Sequence, residues 1–321
     1  MPRLRRSITI TTTIILLLLA VVYVGFGMAM HGQLTDISNG CRNRDNRPDN
    51  FADVTNYLEN EDLDMSQYFM SDYEEVRFTS RDDSFTLSGW YIPGGANSPA
   101  IINLHGLGSC KYSVVNLMQA GMLNNAGYSV LIMDVRDAGD SDYEDGRSAI
   151  GNEEYLDALG GYDWLRNEKG YETIGILGNS LGAATALIAF AQEPDLAAAF
   201  VDSPFDNLPQ IIREELQREG YPQFLYASGL IAARLRGDNI SFNNPHDAIN
   251  NANGRSIFIT HGTADDRIGV HHSQQLADRA ASIGEDITLW LIEGVDHTKA
   301  AGQLPIEYEQ RLIEFFDSHL K

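Results

Sequence analysis

Apolar and polar positions fall into three regimes along the chain. Ile8 to Met30 carries no charged side chain, long enough for the roughly 20 residues that a bilayer-spanning helix needs. From His31 to Asp72 the sequence turns polar and rich in Asn, Asp and Arg, with a few helix-compatible residues from Val54 to Leu63. It predicts a stalk or linker. From Tyr73 onward, short apolar runs alternate with longer stretches of helical period. The expected division is residues 1–30, 31–72 and 73–321.

Within the third regime, Glu75 to Thr79 and Ser84 to Ile92 predict an opening antiparallel pair. Ala100 to Leu104, Tyr128 to Val135, Thr173 to Leu177, Ala197 to Val201, Ser256 to Thr260 and Ile287 to Ile292 predict further strands. Helical patterns run over Tyr112 to Asn125, Glu153 to Glu168, Leu181 to Gln192, His271 to Ile283 and Pro305 to His319. Repeated strand–helix units predict an α/β fold with a mainly parallel sheet covered by helices on both faces. Ligands of such sheets sit at the carboxyl ends of the strands.

One connection is long. Ser203 to Asn250 separates two predicted strands, where 2 to 6 residues are usual. Leu208, Ile211, Ile212 and Leu216 recur at helical spacing, and Phe224, Leu225, Tyr226, Leu230, Ile231 and Leu235 form a second apolar set. A small helical lid over residues 203–250 is expected, with Phe224 and Leu225 lining an acyl pocket. The alternative is a pair of ordinary crossover helices packed on the sheet.

The N-terminal run reads as an uncleaved anchor because it exceeds the 7 to 15 residues typical of a signal-peptide core. Gly27-Met28-Ala29 keeps a cleaved signal open as the alternative. Either reading exports the body. Arg3, Arg5 and Arg6 favour an inside N-terminus, a bias that Arg42, Arg44 and Arg47 on the other side weaken.

Composition narrows the partners. With 43% hydrophobic and 21% charged residues the chain is ordinary for a globular protein. A formal charge of -22 repels phosphates and argues against nucleic acid. Cys41 and Cys110 show no metal-ligand spacing, and a bridge between them would tether a loop assigned below to catalysis.

Gly178-Asn179-Ser180-Leu181-Gly182 matches G-x-S-x-G between an apolar strand and a strong helix former. A nucleophile on so sharp a turn needs neighbours without side chains, and the turn places the Leu181 N–H at a helix N-terminus. A Gly-rich turn with an N-capping serine is the plainer alternative. His105-Gly106-Leu107-Gly108 directly follows Ile101 to Leu104 and is suited to supply a second oxyanion donor. A serine alcohol needs a base, and the base needs a carboxylate to hold its tautomer. Of eight histidines, His297 follows the last predicted strand and precedes the last helix. Asp265, just after the strand Ser256 to Thr260, is the expected acid, with Asp266 and Asp202 as competitors.

From about Tyr73 to the C-terminus the chain resembles an α/β-hydrolase of the serine-aminopeptidase-like and esterase-like branch. The glycine loop at His105, the elbow at Ser180 and the Asp265 and His297 loops carry the likeness, together with Asp134-Val135-Arg136-Asp137-Ala138-Gly139-Asp140-Ser141. The last departs from D-x-R-G-x-G-x-S by having Asp137, followed by Ala138, where a tight Gly turn is common. Its acidic continuation, Asp137 to Gly146, misses the D-x-D-x-D-G calcium spacing and is expected to be a solvated loop. The resemblance implies Ser180 as nucleophile, His297 as base, Asp265 as its partner and Leu107 and Leu181 N–H groups as oxyanion donors. His105 is expected to be structural. It implies no metal or organic cofactor, a small acyl substrate, and ester cleavage, with peptidase, acyltransferase or non-catalytic binding as alternatives.

Overall fold

The computed structural model describes residues 2–37, 40–41, 44–237, 243–285 and 287–321, with side chains from Ile8 onward. Eight strands form one sheet in the order β1-β2-β4-β3-β5-β6-β7-β8. They are β1 (Glu74–Thr79), β2 (Thr86–Ile92), β3 (Ala100–Leu104), β4 (Ser129–Met133), β5 (Ile174–Asn179), β6 (Leu196–Asp202), β7 (Ser256–Gly262) and β8 (Thr288–Ile292). Only the β1–β2 and β2–β4 pairings are antiparallel. Pairing from β4 through β3 to β8 is parallel.

The helices are α1 (Pro2–Thr35), α2 (Val114–Asn125), α3 (Glu154–Asn167), α4 (Leu181–Gln192), α5 (Leu208–Arg218), α6 (Tyr226–Arg236), α7 (His246–Asn250), α8 (His271–Ile283), α9 (Ala300–Gln303) and α10 (Pro305–Leu320). β3 to β6 are buried along almost their whole length, the signature of strands covered on both faces. One apolar layer joins the sheet to α2 and α10, and the other joins it to α3, α4, α7 and α8. The chain therefore has the expected α/β architecture.

The polar stretch after α1 departs from expectation. Phe51, Leu58, Tyr68 and Met70 are buried in the layer shared with α2 and α10. Leu58 is fully enclosed and stands where a Cβ on Gly302 would be. Burying such a side chain stabilises by about 1.5–3 kcal/mol. Residues 44–72 are thus an arm strapped across the sheet, not a stalk. Its polar residues lie outward or serve the loops: the Asp53 carboxylate accepts the N–H groups of Tyr57 and Leu58 at 2.8 and 2.7 Å. Arg44 pairs with Asp140 at 3.0 Å, and Arg47 stacks on Tyr112. Arg42 and the side chains of Arg3, Arg5 and Arg6 lie outside the described residues.

Cys41 and Cys110 are joined in a disulfide with a sequence separation of 69 residues. The bridge that would tether the loop assigned to catalysis is therefore present. It fits because Cys110 lies beyond the glycine loop itself, at the start of the segment leading to α2. In the chain-entropy account, closing a loop of that length stabilises by about 4 kcal/mol.

α1 continues past the expected end at Met30 to Thr35. Residues 8–22 are exposed on every side, whereas Gly27, Met30, His31 and Thr35 are buried against the body. By length and apolarity the helix is able to cross a bilayer. The lid region contains α5, α6 and α7, with residues 238–242 outside the described set.

Candidate active site

Ser180 occupies the turn between β5 and α4 with φ 56° and ψ -119°, a conformation strained for a side-chain-bearing residue. Its own N–H is held by the Asp202 carbonyl at 2.8 Å. The flanking glycines are sterically required. A Cβ on Gly178 would overlap the Gly182 carbonyl, and one on Gly182 would overlap the His105 carbonyl. Behind the turn, Asn179 and Gln119 exchange two amide hydrogen bonds of 2.9 and 2.8 Å, and Gln119 also donates to Tyr308 Oη at 2.7 Å. This buried network fixes the residue before Ser180. Nothing in the periodicity of α2 marked Gln119 for that role.

The structure brings Ser180, His297 and Asp265 together. Ser180 Oγ lies 2.8 Å from His297 Nε2, and His297 Nδ1 lies 2.7 Å from Asp265 Oδ2. Asp265 also accepts the N–H groups of Arg267 and Ile268 at 2.9 and 2.8 Å. A further partner is His261, whose Nε2 is 3.2 Å from Asp265 Oδ2 and 2.8 Å from the Ile268 carbonyl. Burial pushes Asp265 upward, but His261, His297 and the Ile268 N–H outweigh it and hold the carboxyl well below the usual range. An ionised Asp265 keeps the proton on His297 Nδ1, so the Nε2 lone pair faces the Ser180 hydroxyl. His261, which stands four residues before Asp265 at a strand end, was the available signal for this second contact.

Asp266 is exposed. Asp202 is buried at the end of β6, accepts from Ser203 Oγ at 3.0 Å, and has no hydrogen bond to His297. Burial pushes it up to about 6. Leu107 and Leu181 line the cleft beside Ser180. As the first residue of α4, Leu181 has an N–H with no carbonyl one turn earlier in its helix. Gly106 approaches so near that a Cβ there would lie 3.2 Å from Ser180 Cβ. His105 is buried, with Nδ1 2.9 Å from the Gly106 carbonyl and Nε2 accepting the Val135 N–H at 3.4 Å. Both ring nitrogens serve the backbone.

The arm reaches the site from outside. Tyr57 donates to the His297 carbonyl at 3.1 Å and lies 2.7 Å from Thr298 Oγ1. Glu59 and Asp296 pair with Lys299. The acidic segment after β4 is likewise structured. Asp137 accepts the N–H groups of Glu144, Asp145 and Gly146. Lys111 is buried between Asp134 and Asp140 at 2.9 and 2.6 Å.

The cleft over Ser180 encloses about 540 Å³ of empty space, its open mouth included, and is walled by apolar residues such as Ile150, Phe205, Ile211, Ile212 and Ile268. The lid residues expected there are elsewhere. Phe224 is 68% exposed, and Leu225 is buried against Met30 and Leu216. Both lie in a 3-10 turn before α6, so the face that their spacing assigned to the pocket points away from it. Ile211 and Ile212 of α5 line the cleft instead.

Glu214, His271 and His272 also cluster closely enough to hold an ion. His272 Nδ1 accepts the Asp206 N–H at 3.1 Å, so its neutral ring carries the proton on Nε2, 2.9 Å from Glu214. That protonation state makes the cluster a hydrogen-bonded latch between α5 and α8.

Residues 115–321, more than half of the chain, match the prolyl oligopeptidase family. The chain belongs to the prolyl oligopeptidase family. The family match includes Ser180, Asp265 and His297 but leaves out α1, the arm and the glycine loop at His105. Among curated relatives, this prolyl oligopeptidase-family chain is 30% identical over 133 residues to an uncharacterized protein of Mycobacterium tuberculosis, covering 40% of this chain and 45% of that one. It is 29% identical over 168 residues to the thiohydrolase aneE of Aspergillus aculeatus, covering 51% and 52%. The chain spans about half the length of the curated relatives it matches. Among solved structures, a Pyrococcus furiosus esterase superposes with TM-score 0.64 at 24% identity, covering 86% of this chain and 98% of that one. A Pyrococcus horikoshii acylaminoacyl peptidase gives 0.59 at 20%, covering 78% and 42%. The α/β-hydrolase GrgF of Penicillium gives 0.60 at 17%, covering 78% and 99%. These likenesses establish an α/β-hydrolase fold.

Proposed function

We propose that this serine hydrolase cleaves acyl esters through an acyl-enzyme intermediate on Ser180. The observation that carries the reading is the unbroken relay from Ser180 Oγ through His297 to Asp265, at 2.8 and 2.7 Å, beside an apolar cleft. His297 Nε2 takes the Ser180 proton as Oγ attacks the acyl carbonyl, and the N–H groups of Leu107 and Leu181 receive the developing oxyanion. His297 then returns the proton to the departing alcohol. It next draws a proton from water as the water oxygen attacks the acyl carbon, and gives that proton to Ser180 Oγ as the Oγ–acyl bond breaks and the acid leaves. No step calls on a cofactor.

Ester rather than peptide cleavage is supported by the largely apolar walls of the cleft, which Glu215 and Arg267 alone interrupt with charge. Peptidase action is the second reading, favoured by the family match. On this proposal α1 is an uncleaved anchor with the catalytic domain outside the cytoplasm. A fluorophosphonate should label wild-type protein at Ser180, and p-nitrophenyl esters should be hydrolysed in preference to aminoacyl-nitroanilides. Absence of labelling on folded protein rejects the hydrolase mechanism, and a preference for the anilides selects the peptidase.

A further inference from the structure

The end of α1 is part of the wall around the site. A second, shallow apolar cleft is lined by Met30 and Leu34 of α1 and by Ile212, Tyr226 and Leu230 of the lid. Leu34, Ile150 and Ile212 belong to the walls of both clefts, so the second adjoins the cleft over Ser180. Apolar side chains thus line the surface from the Ser180 cleft to the seam between α1 and α6.

Helix length sets where that seam lies. A hydrocarbon core takes roughly 20 residues of helix, which counted from Ile8 ends near Gly27. Contact with the lid begins earlier. Tyr23 donates to the Phe224 carbonyl at 2.7 Å and its ring stacks on that of Phe224, with centroids 6.4 Å apart. Tyr23 lies four residues before Gly27, about 6 Å at the rise of an α-helix, which matches the depth of about 5–10 Å at which apolar side chains enter a membrane interface. Phe224, 68% exposed, is then the lid residue facing lipid. The crossing above it is close: a Cβ on Gly27 would overlap the Ser228 backbone, and one on Gly229 would lie 2.6 Å from Met30 Cε. Small residues permit the same close approach where helices pack in lipid.

We infer that the enzyme takes its substrate from the bilayer that α1 crosses: a long-chain acyl ester with an uncharged or zwitterionic head group. The chain enters along the α1–lid seam and lies against the apolar walls of the two adjoining clefts, bringing the ester carbonyl to Ser180. A chain of formal charge -22 repels anionic head groups. The inference rests on the hydrolase and anchor readings given above.

The test uses the full chain in phosphatidylcholine vesicles. With both native cysteines in the disulfide, Phe224→Cys adds a single thiol for a bimane dye. Quenching by doxyl-labelled phosphatidylcholine is expected, and an unquenched dye overturns the proposal. In parallel, wild type should hydrolyse both bilayer-dissolved monooleoylglycerol and soluble p-nitrophenyl butyrate. Phe224→Asp should lower kcat/KM for the first by about tenfold or more while leaving the second within about twofold, because only the first depends on burying this side chain in lipid. Equal effects on both esters, or hydrolysis of the butyrate alone, overturn the membrane route and leave the hydrolase reading standing. Inactivity of folded wild type toward both esters overturns the two readings together.

Discussion

Asp202 and Asp265 sit at the ends of neighbouring strands, both buried, and meet opposite fates. Asp265 is surrounded by donors: two imidazoles and two backbone N–H groups. Asp202 has the Ser203 hydroxyl and a 3.4 Å contact from Tyr308. One carboxyl is held ionised well below its usual range, and the other is pushed up to about 6. Burial alone therefore does not decide the charge of a carboxylate. The number and polarity of the groups that face it do.

The largest expected effect comes from removing what Asp265 serves. His297→Ala should reduce ester hydrolysis on the order of 10⁴ to 10⁶-fold, and Asp265→Asn about 10⁴-fold by leaving the ring in the wrong tautomer. Steady-state kinetics on a p-nitrophenyl ester would measure both. If Asp202→Asn were the more damaging of the two Asp substitutions, the assignment of the acid would reverse.

A smaller effect belongs to the backbone of the His297 loop. Tyr57→Phe removes the hydroxyl that holds the His297 carbonyl and Thr298. The bond to the His297 carbonyl, worth about 1 kcal/mol, is the one that bears on the ring, and its loss should lower kcat roughly fivefold with little change in KM. Unaltered kcat would make the arm a purely structural strap.

Asp202→Asn should leave kcat within a few-fold and act instead on stability. Because the folded pKa of Asp202 is raised, its contribution is fully present below about pH 4, the unfolded value, and is lost as pH rises through about 6. The accumulated loss is about 3 kcal/mol. The variant should be more stable than wild type at pH 8, with a flatter pH profile between 4 and 6 by urea denaturation. A profile unchanged from wild type would show that Asp202 does not titrate in that window.

The strand ends were legible because β5, β7 and β8 are short apolar runs followed directly by glycine or polar loops. Ser180 and His297 could therefore be placed by motif and order, while Asp266 and Asp202 stayed open beside Asp265. Phe51, Leu58, Tyr68 and Met70 were not legible as core. They are too far apart to sustain either period over a whole element and are diluted by acids, so no periodic face announces them. The lid failed in phase rather than in existence: α5 and α6 were expected, but the short turn before α6 rotated Phe224 outward. A covalent pair between Cys41 and Cys110 depends on proximity that spacing does not encode.

Under the anchor proposal, that disulfide also governs how the body would leave a membrane. Cys41 follows α1 on the chain, and Cys110 belongs to the catalytic body. In the anchored protein, a protease that cuts anywhere in residues 42–109 severs the peptide chain without freeing the body, because the sulfur bridge still joins the two fragments. Shedding at those positions requires reduction as well as proteolysis, whereas a cut before Cys41 releases the whole domain in one event.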